Sequence, residues 1–187
     1  MKVGVVAIQG DFEKHIRAFG DIGVEASEIR LPEELDRVER LVIPGGESTT
    51  VGLLMQRFGL GAAIKTRAEA GMPVWGTCMG MIMMAGSVQG RAGQYTLDLL
   101  DVEVERNAFG AQVHSFEDLV EIEGIGEAVM GVFIRAPVVV KLGPSVSALG
   151  SYRDRVVAVR QGARLGTSFH PELTDDRRLH RYFVEMG

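Results

Sequence analysis

The chain opens on an apolar run. From Lys2 to Ile8 it reads Lys-Val-Gly-Val-Val-Ala-Ile, the pattern of a strand buried on both faces. Phe12, Ile16 and Phe19 then recur at helical spacing. Val24 to Ile29 alternates and reads as a second strand. Arg40 to Ile43 is a third, stopped by Pro44-Gly45-Gly46. Thr49 to Phe58 and Gly61 to Ala70 read as helices, the second ending at Gly71 before Pro73. Val74-Trp75 is a further strand, followed by a glycine-flanked turn and a helix to about Ala85. Strands joined through helices in this order imply a parallel sheet covered on both faces.

The second half changes character. Asp101 to Arg106 alternates cleanly, and Val113–Ile122, Gly131–Arg135, Val138–Leu142, Val146–Leu149, Val156–Arg160 and Arg164–Phe169 are short strand candidates separated by glycine or proline. They read as antiparallel additions at a sheet edge. A last helix is expected from about Asp175 to Glu185, capped by Thr174, with Leu179, Tyr182, Phe183 and Met186 as its apolar face. No repeat, linker or low-complexity stretch divides the chain, so 1–187 reads as a single domain.

Composition narrows the classes. Hydrophobic residues make up 46% and charged residues 24% of the 187 positions, as in a globular chain with a real core. The net charge is −5 with no basic block, which argues against nucleic acid as a partner. The N-terminal segment reads as a first strand rather than a signal peptide. No window approaches the roughly 18 uninterrupted apolar residues of a membrane span. A lone cysteine excludes an internal disulfide and a zinc site of paired cysteines, and fits a reducing compartment; the expected location is the cytoplasm.

That cysteine lies in Val74-Trp75-Gly76-Thr77-Cys78-Met79-Gly80, a strand running into Gly-x-Cys-x-Gly and then a helix. This is the thiol form of a nucleophile elbow, with the side chain thrown out at a helix N-terminus. In open parallel sheets ligands bind beyond the carboxyl ends of the strands. Three turns fall there: Gln9-Gly10, Gly45-Gly46-Glu47-Ser48 and Gly76 to Gly80. Of the four histidines, His170 stands in His-Pro-Glu. Pro171 favours extended backbone before it, and residues two apart in extended chain share a side. Glu172 then fixes one ring nitrogen of His170 while the other faces Cys78: nucleophile, base and orienter. His15, among charged neighbours, and His180, on the last helix, read as solvated; His114 has no readable partner. The elbow alone leaves a cysteine peptidase or stress-type hydrolase open, and a non-catalytic scaffold as well.

With these residues in view, the chain resembles the class I, triad-type glutamine amidotransferases, and among them the glutaminase subunits of pyridoxal 5'-phosphate synthases. The resemblance is carried by the elbow and His170-Pro171-Glu172, and by Ala7-Ile8-Gln9-Gly10, Pro44-Gly45-Gly46-Glu47-Ser48-Thr49-Thr50, Arg106-Asn107-Ala108-Phe109-Gly110, Ser115-Phe116-Glu117, Phe133-Ile134-Arg135-Ala136-Pro137, Arg160-Gln161-Gly162 and Thr167 to Thr174. It implies an α/β, flavodoxin-like open sheet with antiparallel edge additions. It implies glutamine hydrolysis by Cys78, His170 and Glu172, an oxyanion hole from the backbone of Gly46 and Met79, and glutamine held by Gly45, Gly46, Glu47, Arg106, Ile134 and Arg135. Met79 departs from the alanine common at its position. No cofactor and no metal are implied. The implied partner is a (β/α)8 synthase subunit that takes the ammonia in a hetero-oligomer. A different acceptor synthase, or a cysteine hydrolase of similar fold, stays open on the residues alone.

Overall fold

The computed structural model describes residues 1–110 and 115–186. Its first half follows the strand–helix alternation: β1 (Lys2–Val6), α1 (Phe12–Asp21), β2 (Glu25–Ile29), β3 (Arg40–Ile43), α2 (Ser48–Arg57), α3 (Leu60–Glu69), β4 (Val74–Thr77) and α4 (Met79–Met84). Then come β5 (Ala85–Val88), β6 (Leu100–Glu105), β7 (Ser115–Val120), β8 (Val129–Ile134), β9 (Val138–Leu142), β10 (Ser147–Tyr152), β11 (Arg155–Gln161), β12 (Arg164–Thr167) and α5 (Arg178–Glu185). The main sheet runs β2-β1-β3-β4-β12-β11-β9-β6-β5, with β10 paired to β11. From β2 to β12 it is parallel; β11 then pairs antiparallel with β12, β9 and β10. β7 and β8 form a separate antiparallel ribbon. This is the mixed, mostly parallel sheet with flanking helices that the sequence pattern implies.

Alternation within each buried strand sorts its side chains to two cores. Val3, Val5, Val42 and Trp75 join Phe19 of α1, Leu179 and Phe183 of α5, and Phe133 and Phe169 on one face. Val6, Leu41, Ile43 and Val74 join Met55, Leu60 and Ile64 of α2 and α3, with Met79 to Met84, on the other. The methionine run after the elbow is therefore core. No helix among the described residues is long and apolar enough to cross a membrane.

Two local expectations change, and one element is new. The helix after the elbow ends at Met84, and Ala85–Val88 is a strand paired in parallel with β6, because Gly86 and Ser87 favour helix poorly. A 3-10 turn at Pro32–Arg37 joins β2 to β3. It is stabilised by the Glu34 carboxylate, which accepts the N–H groups of Arg30 and Leu31 at 2.7 and 3.0 Å. Thr174 does not cap the last helix, which begins at Arg178. Its hydroxyl accepts from Asp176 N–H at 3.2 Å and donates to the Pro171 carbonyl at 3.1 Å, so it shapes the turn after Glu172 instead. His114 and the start of the expected strand at Val113 lie outside the described residues.

Candidate active site

The carboxyl ends of β1, β3, β4 and β12 converge, and the turns that leave them build one site. At the end of β4, Cys78 adopts φ 50° and ψ −108°, a costly conformation for a side-chain-bearing residue and the signature of a strained elbow. The flanking glycines make that turn sterically feasible. A Cβ on Gly80 would fall 1.9 Å from the Ile43 carbonyl oxygen, and one on Gly76 would fall 2.4 Å from the Gly80 carbonyl carbon. Only bare backbone lets α4 start this close to β3 and β4. The Cys78 N–H is anchored on the Thr167 carbonyl at 2.7 Å. The thiol is 7% exposed and sits 3.7 Å from the Ile134 carbonyl.

His170 follows β12, and its N–H donates to the Val132 carbonyl at 2.8 Å. Its ring packs directly on the Gly45 backbone: a Cβ on Gly45 would lie 2.3 Å from His170 Cε1. Nδ1 contacts Glu172 Oε1 at 2.7 Å, so with a carboxylate there this nitrogen carries the proton, which leaves Nε2 for Cys78. Burial works against an imidazolium at His170. The neighbouring Cys78 and Glu172 overcome it by hydrogen bonding and charge, and push its pKa up to about 10. Burial likewise opposes ionisation of Glu172, yet His15 and His170 hold its carboxyl well below the usual range. The trio is thus built to hold an imidazolium between Cys78 and the Glu172 carboxylate, and to keep the proton on Nδ1 when the ring is neutral.

A cavity of about 430 Å³ opens over the thiol, lined by Gly45, Gly46, Glu47, Cys78, Met79, Arg106, Ile134, Arg135 and His170, together with Gln9 and Asn107. Every site residue expected from the sequence is on that wall except Glu172, which is buried behind His170. Gly46 and Met79 lie side by side: a Cβ on Gly46 would meet Met79 Cε at 3.3 Å. Arg106 Nη2 lies 3.6 Å from Glu47 Oε1, and Nη1 donates to Gln94 Oε1 at 3.3 Å. Gln94 in turn donates to Ser48 Oγ at 3.2 Å, which moors the Arg106 side chain to the first residue of α2. Arg135 takes φ 45° beside the thiol. Gln9 Oε1 accepts the Glu47 N–H at 3.2 Å and ties the first turn to the second. A nucleophile, a base with an orienter, and a fixed guanidinium around one pocket suit acyl transfer from a small carboxylate-bearing amide.

Two expectations fail. His15 and His180 are not solvated; both are fully buried, directly behind Glu172. The signal for His15 lay in the pattern: with Phe12, Ile16 and Phe19 it falls on a single helical stripe. His180 likewise sits one residue after Leu179 and three before Phe183, on the buried side of α5.

Comparison with known proteins points the same way. The SNO glutamine amidotransferase family profile matches residues 5–187. The pyridoxal 5'-phosphate synthase subunit PdxT of Roseiflexus castenholzii is 52% identical, over 100% of both chains. That of Thermus thermophilus is 50% identical, over 99% of this chain and 97% of its own. A crystal structure of a glutamine amidotransferase superposes with a TM-score of 0.95 at 49% identity, covering 98% of this chain and 97% of the other. PurLQS of Thermotoga maritima, at 17% identity and a TM-score of 0.73, shares the fold.

Proposed function

We propose that this chain, which belongs to the SNO glutamine amidotransferase family, is the glutaminase subunit of a pyridoxal 5'-phosphate synthase. In this reading residues 1–187 act as one domain. The chain hydrolyses L-glutamine to L-glutamate and hands the ammonia to a (β/α)8 synthase subunit. The observation that carries the reading is the elbow cysteine beside a histidine whose far nitrogen is held by a buried glutamate at 2.7 Å, in one cavity with Arg106. The family match sets aside the peptidase that the elbow alone left open.

The chemistry follows from the geometry. Arg106 takes the α-carboxylate of glutamine, and the Ile134-Arg135 backbone with Gly45 to Glu47 holds the rest. The Cys78 thiolate attacks the side-chain amide carbon, and the C=O pair moves onto oxygen. N–H groups of Gly46 and Met79 receive that oxyanion; one such donor is typically worth about 3–4 kcal/mol. His170 gives its Nε2 proton to the amide nitrogen, the C–N bond breaks, and ammonia leaves a thioester on Cys78. Water then loses a proton to His170 and attacks the thioester. The second tetrahedral species expels the thiolate, and glutamate departs. Free ammonia in neutral water is mostly protonated and poorly nucleophilic, so a hetero-oligomer that passes it on directly has a chemical reason to exist. A free thiol as nucleophile is suited to the reducing cytoplasm.

The test is ammonia release from L-glutamine by the purified chain, with and without the synthase subunit of the matching complex. Release that rises with the partner and vanishes in Cys78→Ala is expected. Release retained in Cys78→Ala, or none in the complex, would overturn the reading.

A further inference from the structure

Behind the triad lies a second, wholly buried polar assembly. His15 of α1 and His180 of α5 are 0% exposed and sit in an aromatic cage. The Trp75 ring meets both edge-on at centroid distances of 5.6 and 5.1 Å, and Phe19 meets His180 at 5.0 Å. His15 Nε2 is 3.2 Å from Glu172 Oε2 and 3.2 Å from Thr77 Oγ1. On the other side of the ring, Nδ1 is 3.1 Å from His180 Nε2.

Buried imidazoles are costly in an aromatic core unless something uses their polarity. The Glu172 carboxylate supplies the use. Its Oε1 is taken by His170. Its Oε2 makes no hydrogen bond of good geometry among the described residues, so the electrostatic contact with His15 Nε2 at 3.2 Å is what offsets its burial. Carboxylate oxygens only accept, so the His15 nitrogen that faces Oε2 carries a hydrogen. The opposite nitrogen, Nδ1, is tied to His180, and Thr77 Oγ1 shares Nε2 with the carboxylate. Thr77 is also the residue before the nucleophile, so one hydroxyl links the elbow to the support of the orienter. Burial, reinforced by His15, pushes the His180 pKa down to about 2, so that ring stays neutral and acts as a fixed dipole.

We propose that His15, braced by His180, is a positioning residue for the glutaminase reaction. It fixes the rotamer of Glu172 and, through it, the tautomer and aim of the His170 ring at Cys78. The His15 ring does not line the cavity; it acts on the thiol through two residues, Glu172 and His170. Among the described residues no group of three or more His, Cys, Asp or Glu is placed to hold a metal ion, so the assembly is a hydrogen-bonded support. The kinetic consequence rests on the glutaminase reading above.

Two polar substitutions separate this role from a merely structural one. His15→Gln carries an amide N–H to the place of Nε2 and keeps the contact with Glu172. His15→Asn is one bond shorter; it reaches the His180 side and leaves Glu172 unsupported. Both are compared with the parent chain in two assays. The first is steady-state glutamine hydrolysis in the complex with the synthase subunit. The second is iodoacetamide alkylation of Cys78 in the chain alone, with rates expressed per titratable thiol. His15→Asn should lose about tenfold or more in kcat, the scale of an outer-shell support, with KM within about twofold. Its alkylation should slow in parallel, and His15→Gln should recover most of both. Equal behaviour of the two variants, or parent-like rates in His15→Asn, would overturn the proposal. Alkylation needs no glutamine, so if the parent releases no ammonia the glutaminase reading fails while the Gln–Asn contrast still decides the role of His15. A purely structural role would lower the fraction of titratable thiol and leave the rate per thiol unchanged.

Discussion

Cys78 helps to set the charge of His170. Burial opposes an imidazolium at His170, and the cysteine beside it is the largest of the forces that reverse this and lift the ring to about 10. Cys78→Ser puts a smaller hydroxyl in place of the thiol and removes the sulfur from beside the ring. The pKa of His170 should then fall from about 10, read by NMR titration of the ring; a titration unmoved by the substitution would assign the whole effect to Glu172. At this scale the sequence was legible where chemistry and spacing coincide. A cysteine between two glycines after a strand, and a histidine two residues before a glutamate, each name a partner and a direction. For His15 and His180 the helical stripe carried the signal, but their flanking charges masked it. Their charged sequence neighbours, Lys14 and Arg17 or Arg178 and Arg181, suggest water. Helical periodicity turns those neighbours outward and the histidines in. The partners that make such burial tolerable come from 165 residues away, a separation that no local pattern reports.

The strand–helix junctions carry the site, and the tightest of them is β4 to α4. Gly80 faces the Ile43 carbonyl of β3 so closely that a methyl group would sit 1.9 Å from the oxygen. That neighbour is backbone in the middle of the sheet, so no side-chain rotation relieves the clash. Gly80→Ala should cost about 1–3 kcal/mol or more, the range of overpacked cores, in urea unfolding. It should also abolish activity, because relief requires lifting α4 and with it Cys78. An alanine variant of parent stability would show that the junction has slack. The elements around this junction could be read from the chain because β1, β3 and β4 are short apolar runs buried on both faces, and Pro44 stops β3. β5 could not. Four residues after a methionine-rich helix leave little room for period, and only pairing with β6 makes them a strand. Thr174 has the right side chain for a helix cap, but its hydroxyl bonds to the Asp176 N–H and the Pro171 carbonyl, and the chain turns once more before α5 begins.

For the whole molecule, the buried titratable groups behind the elbow make folding depend on pH from both sides. His170 has a folded pKa near 10 against an ordinary 6.5. Its stabilisation is therefore full below pH 6.5 and is lost as pH rises through about 10, because the folded state keeps a proton that the unfolded chain releases. His180 is the reverse: its folded pKa near 2 lies below the ordinary 6.5. The unfolded chain gains a proton that the folded state refuses, so stability is lost as pH falls below 6.5. Glu172, held below its ordinary 4.5, adds to the acid loss from about pH 4.5 downward. The two histidines together place their joint optimum near pH 6.5, and each flank falls at up to about 1.4 kcal/mol per pH unit for one proton. Urea unfolding at intervals from about pH 5 to about pH 9 measures both flanks in the same protein. His170→Asn should flatten the alkaline flank and leave the acid one. His180→Phe, which keeps a ring within the Trp75 and Phe19 cage, should flatten the acid flank between about pH 5 and pH 6.5 and leave the alkaline one. Parent and variant curves that stay parallel across the whole range would mean that neither histidine changes its proton affinity on folding, and the charge assignment behind the elbow would have to be abandoned.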